Sequence, residues 1–237
     1  MARYYSSSLG RFMAVDPLAA SAVPENPQSW NRFAYVRNNP LILVDADGQL
    51  PIVGSHRHQN ASRRAEVQPN GVSQRHVVRG NRRADSLRIL GVGELGDHIN
   101  TSGAATGSAS DSRVQAGSLQ LGTAIREAAA GNAEAAGEAL GGSHHSFQDL
   151  DVHGGVSRGQ HHASNLDSAN SDGFSVREAA AIQLTSEING IFNEATAAIA
   201  GGLDVDTAVS TAQDQAAAAA QASYSSTSNK GGMPEGY

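Results

Sequence analysis

The sequence predicts a mainly α-helical protein with a short β-rich fragment at its N-terminus. Three observations carry this. From Ser112 onward, Ala, Leu, Ile and Val recur at helical spacing between Gly breaks. Before Gly48, apolar runs are only four or five residues long and are cut by Asn-Pro and Asp-Gly turn signals. Charge is partitioned rather than blended: residues 1–53 balance four basic against four acidic groups, residues 54–90 carry eight Arg against Glu66 and Asp85, and residues 91–237 carry five basic against seventeen acidic groups. Such partitioning predicts separate physical units.

Taken in order, residues 1–48 hold the runs Arg11 to Val15, Phe33 to Val36 and Leu41 to Val44, each of strand length. The fragment is too short to bury a core alone. Residues 51–90 are rich in Arg, Asn, Ser and Gln, with little apolar periodicity before Leu87–Leu90. They read as a basic linker; the alternatives are a nucleic-acid arm and a segment paired with the acidic region behind it. His56, His58 and His76 are expected there as solvated side chains.

Ser112 is expected to cap a helix to about Ala130, with Val114, Leu119, Leu121 and Ile125 facing inward and Gly131 stopping it. Asn132 caps the next helix. It places Glu134 in the first turn, sends Ala135, Ala139 and Leu140 to the core, and ends at His153 before Gly154–Gly155. Ser175 to Glu178 reads as a capping box ahead of the stripe Val176, Ala180, Leu184, Ile188, Ile191 and Phe192, which runs to Gly201–Gly202. Asp206 to Ser223 is an Ala-rich helix with high propensity and few large apolar groups, Val205 and Val209 at its start. Residues 224–237 read as a disordered tail.

Chemistry concentrates between Leu140 and Asp172, which hold five of the nine histidines. His145, Asp149 and His153 stand at i, i+4 and i+8, so one face of a helix carries an imidazole, a carboxylate and an imidazole on successive turns. That donor set suits zinc, which takes nitrogen and oxygen ligands at about 2.0–2.2 Å. With no cysteine in the chain, a metal has only His, Asp and Glu to bind. Gly141 and Gly142 near this face leave room for a ligand or another backbone, and Glu138 could orient His145. Asp151 points away. The loop after His153 returns His161, His162, Asp167 and Asp172 toward the helix end, so His161 or His162 with Asp167 could hold a second ion. The competing reading is a set of surface hydrogen bonds on a helix with no metal.

The segment HHSFQDLDVHGG, residues 144–155, resembles the His-x3-Asp-x3-His segment of toxin domains related to zinc-dependent phospholipase C, with S1/P1-type nucleases as more distant relatives. The resemblance spans roughly Leu95 to Ala200. It implies a further metal ligand in a loop before the first long helix, which brings forward His98. It also implies a His-x3-Glu pair on a later helix. Here that spacing is Gln183-x3-Glu187, so Glu187 is a candidate ligand while the His is missing. One or two zinc ions are therefore expected, with three as the upper bound. Asp97 and Asp167 are the candidate general bases.

A second resemblance covers the N-terminus. Ala2–Tyr5, Gly10–Phe12 with Asp16–Pro17, Pro24–Ser29, Asn31–Pro40 and Asp45–Gly48 resemble, in order, the closing motifs of the RHS repeat-associated core. Asp16-Pro-Leu-Ala lacks the usual Gly and Asp45-Ala-Asp-Gly lacks the usual Pro. Self-cleavage near Leu50, which some members perform with aspartates of these motifs, therefore competes with a plain turn-forming role for Asp16 and Asp45. This resemblance implies an organisation of residues 1–50 as RHS core fragment, 51–90 as basic linker, 91–223 as an α-helical toxin domain and 224–237 as tail. It also implies partners: the rest of an RHS β-shell and a cognate immunity protein.

The expected function is then a delivered effector that hydrolyses a phosphoester with bound metal. A phospholipid headgroup is favoured over nucleic acid because residues 91–237 would repel a polyanion. A nuclease of the S1/P1 type and a non-catalytic helical cargo stand as alternatives. No run approaches 18 apolar residues and the first residues carry no apolar h-region, so neither a membrane span nor a classical signal peptide is expected.

Overall fold

The computed structural model describes residues 3–16, 30–38, 43–44, 52–53, 57–89, 100–153 and 172–228, with side chains of a few helix and strand ends left aside. The protein is mainly helical. Its chain divides into two compact units, residues 1–55 with 83–94 and residues 56–82 with 95–237.

In the first unit, β1 (Tyr5–Ser6) pairs antiparallel with β2 (Arg11–Phe12), turning through Gly10 at φ 63°. β3 (Leu43–Val44) pairs antiparallel with β4 (Ile52–Val53). The expected strand at Phe33 to Val36 is reduced to a bridge between Arg11 and Ala34, because the chain turns into a 3-10 segment at Val36–Asn38. Phe12 is buried between Tyr5 and Tyr35, with the Arg3 guanidinium 3.8 Å above its ring. Asp16 is buried and accepts from Arg3 Nη2 at 3.1 Å, so it anchors this cluster. Asp45 and Leu50 lie outside the described residues.

The second unit is built from α1 (Arg57–Arg64), α2 (Gln74–Ile89, of which residues 74–82 belong here), α3 (Ser112–Ala129), α4 (Ala133–His153), α5 (Asp172–Ala200) and α6 (Val205–Ser228). Two helices thus arise in the stretch read as a linker. Its arginines dock on the acidic helices: Arg64 Nη1 donates to Glu178 Oε1 at 2.9 Å, and Arg79 pairs with Glu134 and Glu138 of α4. Within residues 57–82, these two arginines make the pairing with the acidic region that the sequence left open.

α3 starts one residue earlier in effect than expected: Asp111, not Ser112, is the N-cap, its carboxylate accepting from Arg113 N. It ends at Gly131 with φ 81°. Val114, Leu121 and Ile125 are buried, whereas Leu119 is 68% exposed, because the inward face falls at 114, 117, 121, 124 and 125. On α4, Ala136 rather than Ala135 joins Leu140 inside. α5 begins at Asp172, ahead of the expected box; its core face is Ala181, Leu184, Ile188 and Phe192, and it stops at Ala200 before Gly201–Gly202. α6 presents Ala208, Val209, Ala212, Ala216 and Ala220 at spacings of three and four, so small side chains let it pack closely.

α4 is the central helix. Every residue from Gly141 to Asp151 is buried. Leu140, Phe147 and Leu150 meet the core of α3, α5 and α6. The face of Gly137 and Gly141 receives α2: a Cβ at Gly141 would overlap the Val77 carbonyl oxygen and approach the Asn81 amide. The room these glycines leave is filled by another backbone.

Between α1 and α2 the chain runs as a strap along α5. Ser186 Oγ accepts from Glu66 N (2.7 Å), Asn189 Nδ2 donates to Val67 O (2.9 Å), and Asn193 donates to Gln68 O (2.9 Å) while accepting from Asn70 N (2.7 Å). Three side chains on neighbouring turns of one helix thus bond the strap through its main chain.

Candidate metal centre

The remaining face of α4 carries His144, His145, Gln148 and Asp149, all at 1% exposure or less. Burying that many polar groups inside a bundle is costly unless each is bonded, and such a cluster marks a candidate functional site. His145 Nε2 lies 3.3 Å from Asp149 Oδ2, one helical turn on. The other oxygen, Oδ1, lies 3.2 Å from Nε2 of His58, on α1. The two imidazoles stack edge to face with centroids 4.7 Å apart. A carboxylate therefore stands between two imidazoles, each ring at one oxygen.

His58 was expected in solvent; it is only 6% exposed. The basic composition around it hid a short helix whose inward face is His58, Gln59, Ala61 and Ser62, with buried Ala65 just past its end. The legible signal was that i, i+3, i+4, i+7 pattern of His, Ala, Ser and Ala between arginines.

Of the other candidates, His153 is the last residue of α4, and its side chain lies outside the described residues. His98, Asp97, His161, His162 and Asp167 also lie outside them. Glu187 is exposed and accepts from Gln183 Nε2 at 3.2 Å; α5 turns Leu184, Thr185, Ile188 and Asn189 inward instead, so Glu187 takes no part in the cluster. Glu138, expected beside His145, instead receives Arg79. Asp151 points away as anticipated, accepting from Ser223 Oγ of α6 at 2.7 Å.

Around the His58–Asp149–His145 group runs a buried polar network. Ser62 Oγ lies 3.1 Å from His144 Nδ1, Asn81 Nδ2 donates to Ser62 Oγ (3.0 Å) and Gln148 Oε1 (3.0 Å), and Gln148 Nε2 donates to Ser62 Oγ (3.2 Å) and Thr185 Oγ1 (2.9 Å). His144 Nε2 meets Asn189 Oδ1 at 2.9 Å. Burial pushes the His144 imidazole down to about 4, against the smaller upward pull of Asn189, so the ring is neutral at pH 7.

A buried ion pair braces the same end of α4. Arg113 Nε and Nη2 donate to Asp111 Oδ1 (3.1 Å) and Oδ2 (2.8 Å), and Arg113 Nη1 donates to the Asp149 carbonyl at 3.3 Å. Burial raises the Asp111 carboxyl. The Arg113 guanidinium and the amides of Gly107 and Arg113 outweigh that and hold it below the usual carboxylate range.

Among the described residues, no three His, Asp or Glu side chains are grouped so as to hold a metal ion. His58, His145 and Asp149 are of the donor types that zinc takes, and here each imidazole Nε2 meets a different oxygen of Asp149, at 3.2 and 3.3 Å. No family model matches the chain, and no curated protein or solved structure matches it either. No helix among the described residues is long and apolar enough to cross a membrane.

Proposed function

We propose that the helical unit is a zinc-dependent phosphoester hydrolase, phospholipase C-like, delivered as the toxin payload of an RHS-type protein. The observation that supports it is the convergence of His58 and His145 on the two oxygens of Asp149 inside the bundle. One imidazole comes from α1 and the other, with the buried carboxylate, from α4, two intervening helices further along the chain.

In this reading His58, His145 and Asp149 hold the first ion, with His153 at the end of the same helix. His161 or His162 with Asp167 would complete that site or hold a second ion. A metal held by these residues would supply hydroxide near neutral pH and neutralise charge developing on a phosphoryl oxygen. The Asp149 carboxylate meets both imidazole Nε2 atoms, one at each oxygen, and Arg113 Nη1 donates to its carbonyl on that turn of α4. Asp97 or Asp167 would accept the proton of the attacking water.

A lipid headgroup is favoured over nucleic acid. Arg64 and Arg79 are engaged by Glu178, Glu134 and Glu138, which leaves fewer cations for a phosphate backbone. The partners implied are an RHS β-shell and a cognate immunity protein, and the setting is a secreted effector reaching a target cell.

Metal analysis of the purified full chain, with phosphorylcholine release from phosphatidylcholine vesicles and digestion of plasmid and total RNA, tests this. Stoichiometric zinc and headgroup release, both lost in His145→Ala and Asp149→Ala, are expected. Nucleic-acid digestion with inert vesicles would transfer the site to a nuclease; absence of both metal and phosphoester cleavage would leave a helical cargo.

A further inference from the structure

α1 has the sequence RHQNASRR, in which Ala61 is the one apolar residue. Eight residues of this composition do not hold a helix in water, and two small alanines, Ala61 and Ala65, give it little apolar area to bury. What places α1 is polar, and His58 and Ser62 stand one turn apart on it at i and i+4.

The hydrogen bonds around Ser62 have one consistent assignment. Asn189 Nδ2 donates to the Val67 carbonyl, so its Oδ1 is the atom facing His144. A carbonyl oxygen only accepts, so His144 Nε2 carries the proton and Nδ1 is the acceptor. Ser62 therefore donates its hydroxyl proton to Nδ1, leaving both lone pairs for Asn81 Nδ2 and Gln148 Nε2. A serine makes three such bonds and no more. Two of the partners, His144 and Gln148, lie on α4 and the third, Asn81, on α2, while Asn189 ties His144 in turn to α5.

We propose that His144 is a positioning residue: acting through Ser62, it fixes the register of α1 and so sets His58 Nε2 against Asp149. Adjacent histidines on α4 then have separate tasks, His145 at the carboxylate and His144 at the serine that carries the second imidazole into place. The inference rests on the metal reading for its consequence and on the hydrogen bonds above for its mechanism.

Cobalt(II) binding to the full chain, followed by visible absorption, tests it. Ser62→Ala is expected to weaken Co(II) affinity about 10–100-fold and give the ligand-field bands of His58→Ala. Ser62→Thr, which keeps the hydroxyl, is expected to retain the wild-type bands. In the His58→Ala background Ser62→Ala should cost nothing further, since the group it positions is gone. Additive losses in the double variant, or unchanged bands in Ser62→Ala, overturn the proposal.

If the wild type binds no Co(II), or binds it equally well in His145→Ala, the metal reading falls by itself. The positioning role is then decided on metal-free protein by proton–nitrogen correlation of the imidazole rings. His144 should report the neutral Nε2–H form, and the His58 ring signals should move in Ser62→Ala but not in the exposed variant Gln183→Ala. Stationary His58 signals in Ser62→Ala overturn the proposal there too.

Discussion

Acidification should unfold the helical unit earlier than its acidic composition alone would, and His144 sets the amount. Its imidazole titrates near 6.5 in an unfolded chain and near 4 in the bundle. Between those values the unfolded chain binds a proton that the native one refuses, so stability rises with pH across this window. Falling from pH 6.5 to 4, the loss approaches 2.5 pH units at about 1.36 kcal/mol each, or about 3 kcal/mol. That is a large part of the 5–15 kcal/mol typical of a domain. Urea unfolding of chelated protein at pH 7.5, 6, 5 and 4.5 reads it directly. His144→Gln is expected to be less stable at pH 7.5, having lost a fitted network. Its curve of stability against pH should be flatter than wild type by about 3 kcal/mol over the window. Parallel curves for the two proteins would refute the reasoning, because the protonation would then be occurring elsewhere.

Three further outcomes follow from packing. Gly141→Ala should cost about 3 kcal/mol or more in denaturant unfolding, since the added methyl meets α2 main chain; Gly190→Ala on α5, with open space at its Cβ, should gain about 0.5–1 kcal/mol. Leu121→Ala should cost about 2–5 kcal/mol and Leu119→Ala less than about 0.5, and equal losses would show that α3 faces another way. Arg113→Met should cost about 3–5 kcal/mol by leaving the Asp111 carboxylate buried without its cation. The loss should shrink below pH 4 as that carboxylate protonates, because a group held below its usual range lends stability only above that range.

The helices of residues 112–228 were legible because long periodic runs, Gly stops and cap residues agree with one another. Gly131, Gly201 and Gly202 stand where two helices end, and α4 ends at His153 as read. The His145–Asp149 pair was legible from spacing, since four residues always return to one helix face. What was hidden depended on long-range partners. Leu119 looks like a core residue until the Ala- and Gly-lined face of α3 turns it outward. Glu187 sits at a suggestive spacing from Gln183, but α5 turns that side to solvent. His58 was misread because local composition argued for a solvated arm. Its inward turn is imposed by Asp149, Ser62 and the glutamates that hold Arg64 and Arg79, all far along the chain or decided only in the folded state. The β-rich character of the N-terminus reduces, among the described residues, to two short strand pairs.

The strap from Glu66 to Asn70 is gripped by Ser186, Asn189 and Asn193 through its amides and carbonyls, and Pro69, which has no N–H, stands between two of these contacts. A main chain is the same whatever residues decorate it. Substitution should therefore be unevenly tolerated: variants of Glu66, Val67 and Gln68 remain compatible with the fold so long as the main chain keeps its path, while the three grips on the helix cannot drift. Saturation mutagenesis would write this as a permissive stretch lying against a restrictive one, an asymmetry that burial foretells at Asn189 but not at the half-buried Ser186 and Asn193.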